Sequence, residues 1–335
     1  MKAILCTELS GPDGLQMADL PAPTAGPGQV VVGVRACGVN FADTLLVQGK
    51  YQEKPPLPFI PGAEIAGDVL AVGEGVEGLR VGQRVAALCE MGGFAERVAV
   101  TAERCVPLPD PMAYETAAGF LITYGTSHVG LAHRAKLQAG ETLLVHGAAG
   151  GVGLAAVEIG ALLGATVIAT ASSAEKLALT RQYGAAHTID YTQENFVERV
   201  KSITGGHGAD VIYDPVGGDV FDQSLRCIAW EGRLLVIGFA SGRIPQIPAG
   251  LLLVKNASAV GLYWGAYAKR NPQVLSDSLA SLFAWHAAGK LKPHISATFP
   301  LAETAEALRS LMERRSRGKV VVAVTAQATS PVSAD

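Results

Sequence analysis

The sequence predicts an α/β protein made of an irregular β-barrel domain and a doubly wound parallel-sheet domain, and three observations point to it. Residues 1–104 run through short β-rich segments such as QVVVGVRA, GDVLAVG, QRVAAL and ERVAV, punctuated by Gly and Pro clusters about every ten residues. Residues 110–264 instead alternate apolar strands with amphipathic helices, the pattern of a parallel sheet covered on both faces. A chain of 335 residues also exceeds what one hydrophobic core ordinarily serves, so two parts can each fold around an interior of their own.

In the second region the strands read TLLVH, TVIATA, DVIYD and RLLVIGF. Between them, Phe196, Val197, Val200 and Ile203 form one helical stripe and Val220, Phe221, Leu225 and Ile228 another, both facing a core. Further on, Asn271-Pro272 supplies an N-cap and a first-turn proline for a helix through Val274, Leu275, Leu279, Leu282 and Phe283 to Gly289. A second helix is expected over 302–315, after which the strand GKVVVAV returns to pair with the first domain. The expected division is residues 1–125 with 266–335 for the barrel domain and 126–265 for the parallel-sheet domain. The polar tail TAQATSPVSAD has no periodic apolar face and is expected to fray.

Composition narrows the function. With 49% hydrophobic and 17% charged residues the chain reads as well-packed and globular, and a net charge of −3 gives no reason to expect nucleic acid or an anionic membrane as partner. The opening MKAILCTELSGPDG is too short in apolar residues for a signal-peptide core. The apolar region from Ala148 to Ala174 carries Glu158 and several glycines, so it reads as turn, helix and strand rather than as a membrane span. Cys6, Cys37, Cys89, Cys105 and Cys227 form no CxxC pair and read as small buried hydrophobes of a reducing compartment. These features together fit a cytoplasmic enzyme acting on a small molecule.

The strongest motif is TLLVHGAAGGVGLAAVEIGALLGATVIATASS, in which a strand meets a glycine-rich turn, a helix and a second strand within one βαβ unit. Gly147, Gly150 and Gly153 are three apart, and Ala148 stands where the strict G-x-G-x-x-G form has its first glycine. Gly150 and Gly151 would let the backbone approach a pyrophosphate, the Val152 N–H would face the anion at the helix N-terminus, and Gly153 would allow close helix–strand packing. The alternative is a tight strand-to-helix turn without a ligand. At the end of the second strand, where an NAD site has a carboxylate for the ribose 2′-hydroxyl, stand Ala171, Ser172 and Ser173. Hydroxyls followed by Lys176 suit a 2′-phosphate, so NADPH is the expected cofactor, with Glu175 a nearby complication and Lys176 alternatively a solvated surface residue.

The segments GVNFADTLLVQGKY, IPGAEIAG, VGEGVEGLRVGQRV, LITYGT, HGAAGGVG, GAAHTIDYTQENFVERV and VIYDPVGG span nearly the whole chain. In combination they resemble the zinc-free quinone oxidoreductase (ζ-crystallin-like) group of the medium-chain dehydrogenase/reductase superfamily. The resemblance implies a GroES-like catalytic domain plus a Rossmann domain, assembled as a homodimer or a dimer of dimers. Zinc members carry a catalytic Cys and a Gly-His-Glu motif, and this chain has Asn40 and Gly62-Ala63-Glu64 at those positions. Only Cys89 and Cys105 lie where a structural zinc site would need four cysteines, and His128, His133 and His146 are isolated, so no metal is expected. Without a Lewis acid the preferred substrates are quinones and α,β-unsaturated carbonyls, which spread incoming charge over a conjugated system.

By the same resemblance Asn40 and Thr123 would lie beside the nicotinamide, with the Asn40 amide available to substrate oxygen, and Tyr51 would stand at the mouth of the active site. The alternative readings are a turn-former for Asn40 and a packing aromatic for Tyr51. Ser172 and Lys176 would hold the 2′-phosphate, Tyr191 would lie along the adenosine ribose, and Gly238, Phe239 and Ser241 would pass the nicotinamide side. Phe239 departs from the Asn that many relatives carry. The aromatic pair of GLYWG would line the substrate cleft or form a dimer edge, and Asp43, Glu64 and Asp214 read as supporting groups. Two rivals share these features, an enoyl or acryloyl-type reductase of a thioester and a crystallin-like or RNA-binding protein that keeps the NADPH site.

Overall fold

The computed structural model describes residues 1–324 and divides into two compact units, Met1–Leu121 with the chain from His294 onward, and Ile122–Pro293. The polar tail 325–335, expected to fray, lies outside the described residues.

The first unit is built on the strand Gln29–Val39, whose apolar run lets it be covered on both sides. It pairs antiparallel with Glu64–Val72, with Arg97–Thr101 and with the returning strand Lys319–Ala323. Register shifts at Val31/Val32 and Val34/Ala36 act as bulges, which twist the strand and let its two halves serve different partners. Arg84–Leu88 and Cys105–Pro107 extend one side of the sheet and Ile295–Pro300 the other. Val30, Val32, Val34, Ile65, Val69, Phe94, Val320 and Val322 are buried in its core. The strand Lys319–Ala323 therefore returns to this sheet, as expected from the sequence.

The second unit is a six-stranded, wholly parallel sheet in the spatial order His187–Asp190, Thr166–Ala171, Thr142–Val145, Ala209–Asp214, Ile228–Val236, Ser258–Gly261. Numbered along the chain this is the order 3-2-1-4-5-6 of a dinucleotide-binding sheet, in which the order reverses between Thr142–Val145 and Ala209–Asp214. Helices Gly151–Leu162, Ala174–Gln182, Phe196–Ile203 and Gly218–Ser224 connect the strands, and Leu144, Ile168, Ile189, Phe196, Val200, Ile212, Phe221 and Leu234 are buried between layers.

Some boundaries differ from expectation. Ile228 begins a strand instead of closing a helical stripe, because the helix stops at Ser224 and Ile228 pairs in register with Ala209. The helix expected over 302–315 is Thr304–Met312, entered through a 3-10 turn at Leu301–Glu303. Asn271 precedes the helix Pro272–Ala287, but its side chain makes no capping hydrogen bond. That helix belongs by its contacts to the second unit, where Ser278 Oγ lies 2.8 Å from His128 Nδ1 and Trp285 stands edge-on to the same imidazole. Among the described residues no helix is long and apolar enough to cross a membrane.

Candidate active site

In the second unit, the glycine turn follows strand Thr142–Val145 directly. Gly147 adopts φ +55°, a left-handed conformation that favours glycine, and the Gly150 N–H closes a turn onto Gly147 O at 2.9 Å. Gly150 is the N-cap of Gly151–Leu162 and brings no side chain to cap it, so the first N–H groups of a twelve-residue helix remain available to an anion. A Cβ on Gly153 would lie 2.2 Å from Gly147 O, so only glycine lets helix and turn approach this closely. Ala148 is buried, and its N–H is held by Thr170 O of the neighbouring strand at 3.1 Å. The turn thus offers unpaired helix N–H groups and a close backbone approach at the point where the strand order reverses, the usual place of a dinucleotide in such sheets.

The other predicted nucleotide residues fall along the same edge of the sheet. Ser172 follows strand Thr166–Ala171 and is half-buried, while Ser173 is committed as the N-cap of Ala174–Gln182, accepting the Lys176 N–H at 3.3 Å. Tyr191 is brought next to them, since Asp190 pairs with Ala171 in register and the Tyr191 N–H reaches Ala171 O, leaving the ring 45% exposed. The nearest strand carboxylate, Asp190, is tied up by the N–H and hydroxyl of Thr192 at 3.0 and 2.6 Å. Glu175 is exposed on the following helix.

Across the reversal point, the buried Asp214 carboxylate accepts the N–H groups of Val216 and Gly217 at 2.8 and 3.0 Å and shapes the turn after its strand. The loop carrying Gly238, Phe239 and Ser241 zips onto this turn through Ala240 N–H to Pro215 O and Ser241 N–H to Val216 O. Phe239 packs so closely on Gly217 that a Cβ there would meet its ring at 2.9 Å. Gly217 is a site-shaping residue that reading the motifs one by one left unassigned.

Thr123 is buried on the helix Leu121–His128, whose neighbouring residues tie it to the fingerprint helix. Tyr124 Oη donates to Glu158 at 2.6 Å and Ser127 Oγ to Val152 O at 2.9 Å. Burial raises the pKa of Glu158, whose other oxygen accepts the Lys292 N–H at 2.7 Å. The two aromatics of GLYWG separate, with Tyr263 half exposed and Trp264 buried against Gly125, its indole Nε1 lacking a partner among the described residues.

The first unit holds a buried polar cluster around Asn40. Asn40 is the N-cap of the helix Phe41–Leu46, in a capping box with Asp43: Asp43 accepts the Asn40 N–H at 2.8 Å and the Asp43 N–H reaches Asn40 O. The Asn40 amide also meets a charge, as Lys319 Nζ donates to Asn40 Oδ1 at 2.6 Å and to Glu64 Oε2 at 2.9 Å. Asn40 Nδ2 has only longer contacts, to Gly38 O and Glu64 Oε2, both at 3.3 Å. Because an ammonium only donates, Lys319 fixes which face of the amide is oxygen and which is N–H. Burial pushes the Asp43 carboxyl up to about 6, against the lowering effect of the Asn40 and Gly62 N–H groups and of Lys319.

Lys319 was not singled out from the sequence. The available signal is a lone lysine heading the buried strand KVVVA, together with the register Val320↔Val39 and Val321↔Gly38, which carried one residue further places Lys319 beside Asn40. Tyr51 lies beyond the helix Phe41–Leu46 in a half-buried bend. The three histidines are not gathered: His128 meets Ser278, His133 stands edge-on to Tyr267, and His146 bridges Thr170 and Ser224.

Residues 26–110 match the family model described as alcohol dehydrogenase GroES-like domain, and residues 151–281 the one described as zinc-binding dehydrogenase. The chain is 49% identical to "Quinone oxidoreductase-like protein 2 homolog" of Nematostella vectensis, over 96% of this chain and 88% of that one. Quinone oxidoreductase of Pseudomonas syringae superposes with a TM-score of 0.90 at 35% identity, covering 96% and 99% of the two chains. Escherichia coli quinone oxidoreductase, solved as a complex with NADPH, does so with 0.90 at 30% identity, covering 96% and 100%. The zinc of the second family description does not fit this donor set. Ala63 offers no ligand atom, the Asn40 oxygen is taken by an ammonium that would repel a cation, and among the described residues no three His, Cys, Asp or Glu side chains are disposed to hold a metal ion. The chain belongs to the medium-chain dehydrogenase/reductase superfamily, in its zinc-free quinone oxidoreductase group.

Proposed function

We propose that this protein is an NADPH-dependent oxidoreductase that reduces a quinone or another conjugated carbonyl without a metal ion. The observation that carries the reading is the Asn40 amide bound to the Lys319 ammonium at 2.6 Å, at the position where zinc members place a metal-binding cysteine. Such a cluster offers hydrogen-bond donors and an ammonium held beside a carboxylate in place of a Lewis acid. That is enough for an acceptor whose conjugation spreads the incoming charge, and less suited to an isolated carbonyl, which concentrates it on one oxygen.

In this reading Gly147, Ala148, Gly150, Gly151, Val152 and Gly153 bind the pyrophosphate through backbone N–H groups and close approach. Ser172 and Lys176 hold the 2′-phosphate and Tyr191 flanks the adenosine, supported by the adjoining ends of the paired strands Thr166–Ala171 and His187–Asp190 and by the absence of a carboxylate from 171–173. Thr123 with the Gly238–Phe239–Ser241 loop orients the nicotinamide. Bound NADPH supplies a hydride, and one proton from water or the Tyr51 phenol completes conversion of a quinone to its hydroquinone. Asn40 binds the acceptor oxygen.

The protein acts as a cytoplasmic homodimer in this account. Ser258–Gly261 ends the parallel sheet with one side unpaired among the described residues, and Leu253 and Val254, just before it, are 76% and 61% exposed.

The test is oxidation of NADPH and of NADH, followed by nicotinamide absorbance, against 1,4-benzoquinone, 9,10-phenanthrenequinone, an enone, an enoyl thioester and a simple aldehyde. Turnover of quinone with NADPH preferred at least about tenfold is expected, a tenfold preference being worth about 1.4 kcal/mol. Turnover of the thioester alone would move the activity to C=C reduction. NADPH binding without turnover of any acceptor would make the protein a binding protein.

A further inference from the structure

Lys319 is 5% exposed and its partner Glu64 is fully buried, so this ion pair is not a surface accident. Burying two charges costs free energy that their attraction seldom exceeds, and an apolar pair of similar volume would hold the strands together as well or better. The fold also yields space for the lysine. A Cβ on Gly38, which would already meet Ala118 O at 2.0 Å, would also lie 3.0 Å from Lys319 Cε and 2.8 Å from Glu64 Oε2, and a Cβ on Gly119 would lie 2.8 Å from Lys319 Cγ. Two glycines thus line a slot for the lysine stem, which delivers the ammonium to the amide oxygen of Asn40.

The charge pattern is equally specific. Glu64 Oε2 takes Lys319 Nζ at 2.9 Å and Asn40 Nδ2 at 3.3 Å, so one carboxylate oxygen braces both ends of the Lys319–Asn40 contact. The short bond is the one to Asn40 Oδ1, at 2.6 Å. A cation on an amide oxygen draws electron density from the amide nitrogen and strengthens its N–H groups as donors. Those N–H groups now make only 3.3 Å contacts, which an incoming oxygen could readily replace.

We infer that Lys319 is a positioning residue of the acceptor site: its ammonium orients and polarises the Asn40 amide, so that Asn40 Nδ2–H donates to the acceptor oxygen on which negative charge develops. The inference rests on the proposed oxidoreductase reading, and it gives that reaction its positive charge in the absence of a metal ion. The balance is simple. A quinone that gains a hydride from NADPH becomes a hydroquinone monoanion, NADP⁺ remains, and one solvent proton neutralises the product. Lys319 keeps its proton throughout and acts only through Asn40. Glu64 holds the ammonium in place and offsets its charge.

Lys319→Met alone would strand the buried Glu64 carboxylate and destabilise the fold, so the working variant is Glu64→Gln/Lys319→Met, which removes both charges together. Its folding is checked by circular dichroism, and Lys319→Arg serves as the conservative comparison. With 1,4-benzoquinone, kcat of the double variant is expected to fall on the order of 10- to 100-fold while KM for NADPH stays within about twofold. Lys319→Arg should recover part of the loss.

A second measurement needs no turnover. Bound to the NADP⁺ complex, 4-nitrophenol mimics the oxygen anion, and its ionisation is read by absorbance. The wild type should raise the phenolate-to-phenol ratio about tenfold over free solution, and the double variant should abolish the increase. An unchanged kcat in the folded double variant, or a phenolate ratio equal in both proteins, overturns the inference. Should the wild type reduce no acceptor, the oxidoreductase reading falls, and the 4-nitrophenol comparison still decides whether Lys319 stabilises an oxygen anion at Asn40.

Discussion

Asp43 and His146 show how single side chains set the response of this protein to pH. The Asp43 carboxyl, buried beside Glu64, is raised from 3.8 to about 6, so the native state holds that proton to higher pH than the unfolded chain does. Its contribution to stability is complete below about 4 and is lost as pH rises through 6. His146 acts in the opposite sense. Ser224 spends its own proton on Val220 O, so His146 Nε2–H donates to Ser224 while Nδ1 accepts from Thr170, and burial lowers the imidazole to about 3. The unfolded chain therefore gains a proton on this histidine below 6.5 that the native state refuses, and stability falls with falling pH. Because the two oppose each other between about 4 and 6, the wild type alone conceals both. Comparison with Asp43→Asn isolates the first: relative to that variant, the wild type should lose about 1 kcal/mol of unfolding free energy between pH 5 and pH 7.5, measured by urea denaturation. A difference that does not change with pH would show that Asp43 ionises in its ordinary range.

At the scale of elements, the strand–turn–helix unit around residues 142–162 carries the nucleotide assignment, and it can be tested there. Gly153→Ala puts a methyl group 2.2 Å from Gly147 O, so the fingerprint helix must move off the turn. Affinity for NADPH, read by quenching of protein fluorescence, should fall at least about tenfold with the circular dichroism spectrum kept. Undiminished binding would place the pyrophosphate elsewhere. This unit was legible in the sequence because its information is local: glycine spacing, strand and helix follow one another within a short stretch. Ser172 and Tyr191, expected at the adenosine end of a nucleotide, stand at strand ends that adjoin in the parallel sheet. The end of the helix Gly218–Ser224 was not legible, since Leu225 and Ile228 continue its apolar spacing and only pairing with Ala209 turns Ile228 into a strand. Lys319 was hidden for a related reason. Its meaning depends on strand Lys319–Ala323 lying beside Gln29–Val39, a partnership spanning nearly the length of the chain.

At the scale of the whole molecule, the labour is divided between two units of different construction. The parallel sheet of 122–293 presents backbone N–H groups and glycines at its order reversal, which suit a large anionic cofactor. The sheet of the first unit brings three strands together at one end, so that Asn40, Glu64 and Lys319, distant in sequence, share a buried cluster. The same family framework that carries a zinc ion in other members here carries an amide, a carboxylate and an ammonium. Metal-free hydride transfer is the central claim, and the most direct measurement is NADPH-dependent reduction of 1,4-benzoquinone by protein dialysed against chelator, with metal content determined by mass spectrometry on the same sample. Unchanged kcat at a zinc content far below one ion per chain is the predicted result; activity that disappears on dialysis and returns in proportion to added zinc would contradict it.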